Sequence, residues 1–118
     1  MIKFYGLKNC STCRKAEKWL KNNDLEIDDY IDIRDNPPAK ADLLRALSQT
    51  EGQPRQIINT SGKLYRELEL KDKLDDMSDG EIIDLLSKNG MLIKRPFIVD
   101  AERLSVGGKE EILKSVWQ

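Results

Sequence analysis

The stretch FYGLKNCSTCRKAEKWL, Phe4 to Leu20, carries both cysteines of the chain, three positions apart. Ile2 to Tyr5 alternates and is β-prone, which predicts a short strand. Gly6 to Asn9 predicts a turn, and Ser11 to Asn22 a helix with Ala16, Trp19 and Leu20 on one face. Cys10 therefore falls in the loop that opens the helix. Its sulfur is expected near unpaired backbone N–H groups and the positive end of the helix dipole. Lys8, Arg14 and Lys15 add positive charge nearby, and all of these favour thiolate over thiol. Cys13 precedes Ala16 by three positions and Leu20 by seven, so it shares the apolar face, where burial disfavours its thiolate. The expected pair is asymmetric, with an exposed nucleophile first and a covered thiol second. That asymmetry suits thiol–disulfide exchange, in which Cys10 attacks and Cys13 displaces the captured partner.

Two cysteines in a chain of this length fall at this spacing by chance in roughly one case in sixty. A structural zinc site takes four Cys or His ligands, whereas the chain has 2 Cys and no His, so no metal site is expected. A pair of reduced, inert thiols is the remaining alternative.

The 118 residues predict one domain, 1–118, with a modest core. Twenty Lys and Arg against 21 Asp and Glu give a net charge of -1, without the basic excess of a general nucleic-acid binder, so no direct contact with nucleic acid is expected. The absence of histidine removes Ser–His–Asp and Cys–His pairs and HExxH metal sites. No apolar run approaches the roughly 18 residues of a membrane span, and MIKFYGLKNC lacks the apolar core of a signal peptide. The expected location is the cytoplasm, as a monomer away from membranes, where a static disulfide is not expected.

Glu26 to Ile33 predicts a second strand, and Asp35-Asn36-Pro37-Pro38 a break. Helices are expected over Ala39 to Ser48, Arg55 to Thr60 and Leu64 to Leu74. Ser78 opens another, with Glu81 three residues on as a capping box, and Asn89-Gly90 is the closing signal. Phe97 to Val99 and Leu104 to Val106 predict a hairpin, and Lys109 to Val116 a last helix. The order predicts an α/β fold: a mixed four-stranded sheet with helices packed on it. An Arg95-Pro96 step directly precedes the third strand.

CSTCRKA near the start, followed about eighty residues later by LIKRPFIVD, resembles the arsenate reductase and Spx family of thioredoxin-like proteins. NTSGKLYREL, MLIKRPFIVD and VGGKEE resemble small bacterial members, and the likeness covers nearly the whole chain. The resemblance implies a thioredoxin-like fold with residues 40–90 as an inserted helical block. It implies a cis Pro96 facing the cysteine loop, and an Arg95 turned toward Cys10 to hold an anion. A planar, always-charged guanidinium suits that task.

The enzyme branch implies Cys10 as nucleophile, Cys13 as resolving thiol, no bound cofactor, and glutathione, glutaredoxin or thioredoxin as electron donor. It also implies further basic groups around the oxyanion, near Thr60-Ser61-Gly62 and Gly107-Gly108-Lys109. Lys63, with Arg66 close by, and Lys109 are the basic residues there. Lysine lacks the guanidinium fork. The expected substrate is therefore a small oxyanion or a protein disulfide. The regulator branch implies a redox-sensing cysteine pair and a contact with the RNA polymerase α subunit at Gly52.

Overall fold

The computed structural model describes all 118 residues. Four strands, β1 (Ile2–Gly6), β2 (Ile27–Asp32), β3 (Phe97–Val99) and β4 (Leu104–Val106), form one sheet in the order β2-β1-β3-β4. β1 runs parallel to β2 and antiparallel to β3, and β3 pairs antiparallel with β4. The expected mixed sheet is therefore present. Around it lie α1 (Ser11–Asn22), α2 (Lys40–Ser48), α3 (Lys63–Glu67), α4 (Leu70–Lys73), α5 (Asp79–Lys88) and α6 (Glu110–Trp117). None is long and apolar enough to cross a membrane.

Strand alternation sorts the core onto the two sheet faces. Ile2 and Phe4 of β1 and Ile98 of β3 pack with Cys13, Ala16 and Leu20 of α1 and with Leu113 and Trp117 of α6. Tyr5, Phe97 and Val99 point the other way, into a larger cluster with Leu43 and Leu47 of α2 and Ile82 and Leu86 of α5. Cys13 thus belongs to the smaller core.

Between β2 and β3 the chain departs from the expected helices in two places. Only Pro54–Ile57 turns, as a 3-10 helix, and Ile58 then extends to bridge Ile93. Asn59 N donates to Leu92 O at 2.8 Å and Lys94 N to Ile57 O at 2.9 Å, fixing this segment beside the approach to β3. The expected 64–74 helix breaks at Glu69, whose φ is 54°, into α3 and α4, and a 3-10 turn over Leu74–Asp76 follows. Residues five apart on an unbroken helix point about 140° apart. The break lets Tyr65, Leu70 and Leu74 all be buried.

The capping box of α5 is formed: Glu81 N donates to Ser78 Oγ at 3.2 Å, and Ser78 N to Glu81 Oε1 at 3.0 Å. Asn89 caps its other end, as the closing signal predicts. Gly90, however, is needed for close approach. A β-carbon there would lie 1.7 Å from the Ile33 carbonyl oxygen.

Candidate active site

Cys10 is the N-cap of α1, with extended backbone (φ -115°, ψ 109°). Its sulfur takes the place that a Ser or Asp oxygen usually fills. The Cys13 N–H donates to Cys10 Sγ at 3.2 Å, and Arg14 N donates to Cys10 O at 3.0 Å. Arg14 Nη1 also donates to Lys8 O at 3.1 Å, tying the turn to the first helical turn. Cys10 is half-buried, Cys13 is 0% exposed, and both are free thiols.

Burial pushes the Cys13 thiol up to about 12, and its hydrogen bond with Cys10 adds to that. A backbone hydrogen bond from Leu7 and the Arg95 charge act in the opposite direction. Gly6 keeps the space beside Cys13 narrow: a β-carbon there would meet Cys13 Sγ and the Tyr30 hydroxyl, each at 3.1 Å. Tyr30 stacks on Phe4 with centroids 4.8 Å apart, and its hydroxyl donates to Leu7 O at 3.1 Å. Leu7 therefore touches the site twice, through its carbonyl to Tyr30 and through its backbone to Cys13. Burial also pushes the Tyr30 phenol up to about 12, with the cysteine and Glu17 charges adding to the effect.

The Arg95-Pro96 bond is cis, and Pro96 is buried. A β-carbon on Gly108 would fall 2.3 Å from Thr12 Cγ2 and 3.5 Å from Pro96 Cδ. Thr12 stands between the two cysteines, so Gly108 packs against the segment that carries them, with Pro96 beside the same space. Arg95 is half-buried and donates from Nη1 to Met91 O at 3.3 Å.

Thr12, Lys15, Lys94, Arg95, Gly108 and Lys109 all line one open groove of about 800 Å³. Its lining holds 4 cations and no carboxylate. None of those 4 cations takes part in any of the ion pairs of the chain.

Of the residues singled out in the sequence, Arg95 and Lys109 line this groove, and Pro96 lies beside Gly108, which lines it. Lys63 does not line it: it opens α3 and pairs with Glu67 at 3.6 Å on the exposed helix surface. Gly52 is also elsewhere, in the exposed turn after α2, with φ +82° and nothing within 4 Å of where a β-carbon would sit. That turn requires a positive φ, which accounts for glycine. Lys94 and Tyr30 were not expected at the site. Lys94 follows directly from its place beside Arg95, whereas nothing in the sequence marks Tyr30. No group of three or more His, Cys, Asp or Glu side chains converges to hold a metal ion.

Residues 5–116 match the model of the ArsC family. The chain belongs to the ArsC family. It is 45% identical over 117 residues to the "uncharacterized protein YusI" of Bacillus subtilis strain 168, covering 98% of each. It is 33% identical over 115 residues to the "global transcriptional regulator Spx" of Streptococcus mutans, covering 98% of this chain and 82% of that one. Among solved structures, a "possible arsenate reductase from Streptococcus mutans UA159" superposes with a TM-score of 0.85 at 39% identity, over 97% of this chain and 98% of that one. The α/β fold is thus that of the ArsC, thioredoxin-like structures.

Proposed function

We propose that this ArsC-family protein is a thiol–disulfide oxidoreductase, with Cys10 as nucleophile and Cys13 as resolving thiol. The asymmetry of the pair carries the reading: Cys10 caps the helix at the surface, and Cys13 is sealed beneath it. Cys10, as thiolate, attacks one sulfur of a substrate RS–SR′; the Cys10–SR bond forms and R′S⁻ leaves. Burial is the main influence that holds the proton on Cys13; capture at Cys10 removes two further ones, the hydrogen bond with Cys10 and the Cys10 charge. The contacts from Leu7 and Arg95 remain and favour the Cys13 thiolate. Cys13 then gives up its proton, its sulfur attacks Cys10 Sγ, and RS⁻ leaves. The substrate has gained two electrons, and the Cys10–Cys13 disulfide has lost them. Two donor thiols, from two glutathione molecules or from one dithiol of the glutaredoxin or thioredoxin class, restore the dithiol and leave joined as a disulfide.

Arg95, with Lys109, supplies positive charge to the anionic part of the substrate or leaving group. The same pair of thiols also suits a small oxyanion such as arsenate, as the name of the solved relative suggests. The test is exchange against a chromogenic disulfide and against arsenate. Cys10→Ser is expected to abolish turnover with the true substrate class, and turnover equal to wild type refutes the reading.

A second reading is a redox-switched regulator that binds the RNA polymerase α subunit. It is favoured by the similarity to Spx along 98% of the chain and by the open surface around Gly52. Retention of the α subunit on immobilised protein, lost in Gly52→Arg, supports it. No retention at micromolar concentration removes it.

A further inference from the structure

The groove beside the segment that carries the cysteines is larger than a small oxyanion needs. A water occupies about 30 Å³, so a five-atom oxyanion needs on the order of 100 Å³, whereas the groove measures about 800 Å³. Its cations come from three separate parts of the chain. Lys15 is on α1, Lys94 and Arg95 precede β3, and Lys109 precedes α6. The lining also carries the side-chain amides of Gln49 and Gln56, which suit a peptide backbone, and apolar residues such as Ile57 and Leu104. In a chain of net charge -1, leaving these 4 cations outside all ion pairs concentrates positive potential in one place.

We propose that this groove receives an extended acidic segment of a protein that carries the disulfide attacked by Cys10, with its carboxylates on Lys15, Lys94, Arg95 and Lys109. The proposal rests on the oxidoreductase reading above and names its substrate class. Thr12 is the link: it lies between the two cysteines in the sequence, it lines the groove, and its methyl fills the space beside Gly108, which lines the groove as well, so the groove adjoins the segment that carries Cys10. Exchange at Cys10 and Cys13 reduces the substrate disulfide to two thiols, and a dithiol reductant, itself oxidised to a disulfide, restores Cys10 and Cys13.

The test uses two arms on the full-length reduced protein. In the first, fluorescent cysteine-free peptides of equal length, one Glu-rich and one with Gln at the same positions, are titrated by anisotropy. The Glu peptide is expected to bind at least about tenfold more tightly at about 0.1 M salt. The preference should collapse at about 1 M, where the screening length falls from roughly 10 Å to 3 Å. The pair Lys94→Ala and Lys109→Ala should bring the two peptides within about twofold. Lys18→Ala with Lys71→Ala, exposed and outside the groove, carries the same charge change and should leave the preference intact. Equal affinities in wild type, or a preference untouched by the groove variants, overturns the proposal.

In the second arm the same peptides carry a mixed disulfide, and oxidised glutathione is run beside them. Faster exchange with the Glu peptide than with both others supports the proposal. Exchange that is equally fast with all three overturns the groove proposal and leaves the oxidoreductase reading standing. Absence of exchange with every disulfide overturns the oxidoreductase reading and with it a disulfide-bearing occupant, whereas a lost binding preference in the first arm with exchange intact overturns the groove proposal alone.

Discussion

The methyl group of Thr12 occupies the space that a side chain on Gly108 would need, with only 2.3 Å between Cγ2 and a β-carbon at that position. This contact joins the cysteine loop to the segment that leaves β4. Gly108→Ala is therefore expected to push Thr12 and shift the loop, slowing exchange by roughly tenfold while costing about 1–3 kcal/mol of stability. Thr12→Ser lacks the methyl and should restore most of the loss in the double variant, a coupling that a double-mutant cycle reads directly. Additive effects would show that the contact does not position the loop.

Cys13 holds its proton more tightly in the folded chain than in the unfolded one, because burial lifts it from 9.0 to about 12. The stability this contributes is present below the unfolded value and is lost as pH rises towards about 12. Urea midpoints of the reduced protein should therefore fall more steeply above pH 9.0 in wild type than in Cys13→Ala. Parallel slopes would contradict the burial of that thiol. Iodoacetamide at neutral pH should label Cys10 alone until denaturant is added.

Tyr30 holds the Leu7 carbonyl from its hydroxyl at 3.1 Å, and Leu7 in turn hydrogen-bonds Cys13. Tyr30→Phe keeps the stack on Phe4 and removes only that hydroxyl. It is expected to cost about 1 kcal/mol of stability. It should also slow release from a Cys10 mixed disulfide severalfold and shift the pH profile of that step upward. An unchanged profile would make Tyr30 a packing residue only.

Gly90→Ala drives a β-carbon into the Ile33 carbonyl oxygen at 1.7 Å, with no flexible side chain to yield. Denaturant unfolding should show a loss of at least about 3 kcal/mol. A loss under about 1 kcal/mol would mean that the α5 exit and the end of β2 can move apart.

Local signals carried much of the fold. The boundaries of α1, the β3–β4 hairpin and the Ser78 capping box rest on short-range periodicity and capping, and the structure has them where they were expected. The block between α2 and α5 did not yield to the same reasoning. Glu69 adopts a left-handed conformation to reorient Leu70, and Ile58 is drawn out to Ile93, both of which are tertiary demands. Gly90 shows the same limit, since a C-terminal glycine signal concealed a packing requirement set by Ile33. At the site, the helix-capping sulfur and the buried partner followed from spacing alone. The place of Lys63 did not, because whether it reaches the groove depends on where α3 packs.

The release step tests the central claim most directly. Cys10 is loaded with a chromogenic thiol as a mixed disulfide, and release is followed in wild type and in Cys13→Ser. Wild type is predicted to release the thiol and finish two hydrogens lighter than the dithiol, with Cys10 bonded to Cys13, while Cys13→Ser keeps its adduct. Equal release from both, with no intrachain bridge in wild type, would contradict the assignment of Cys13 as the resolving thiol.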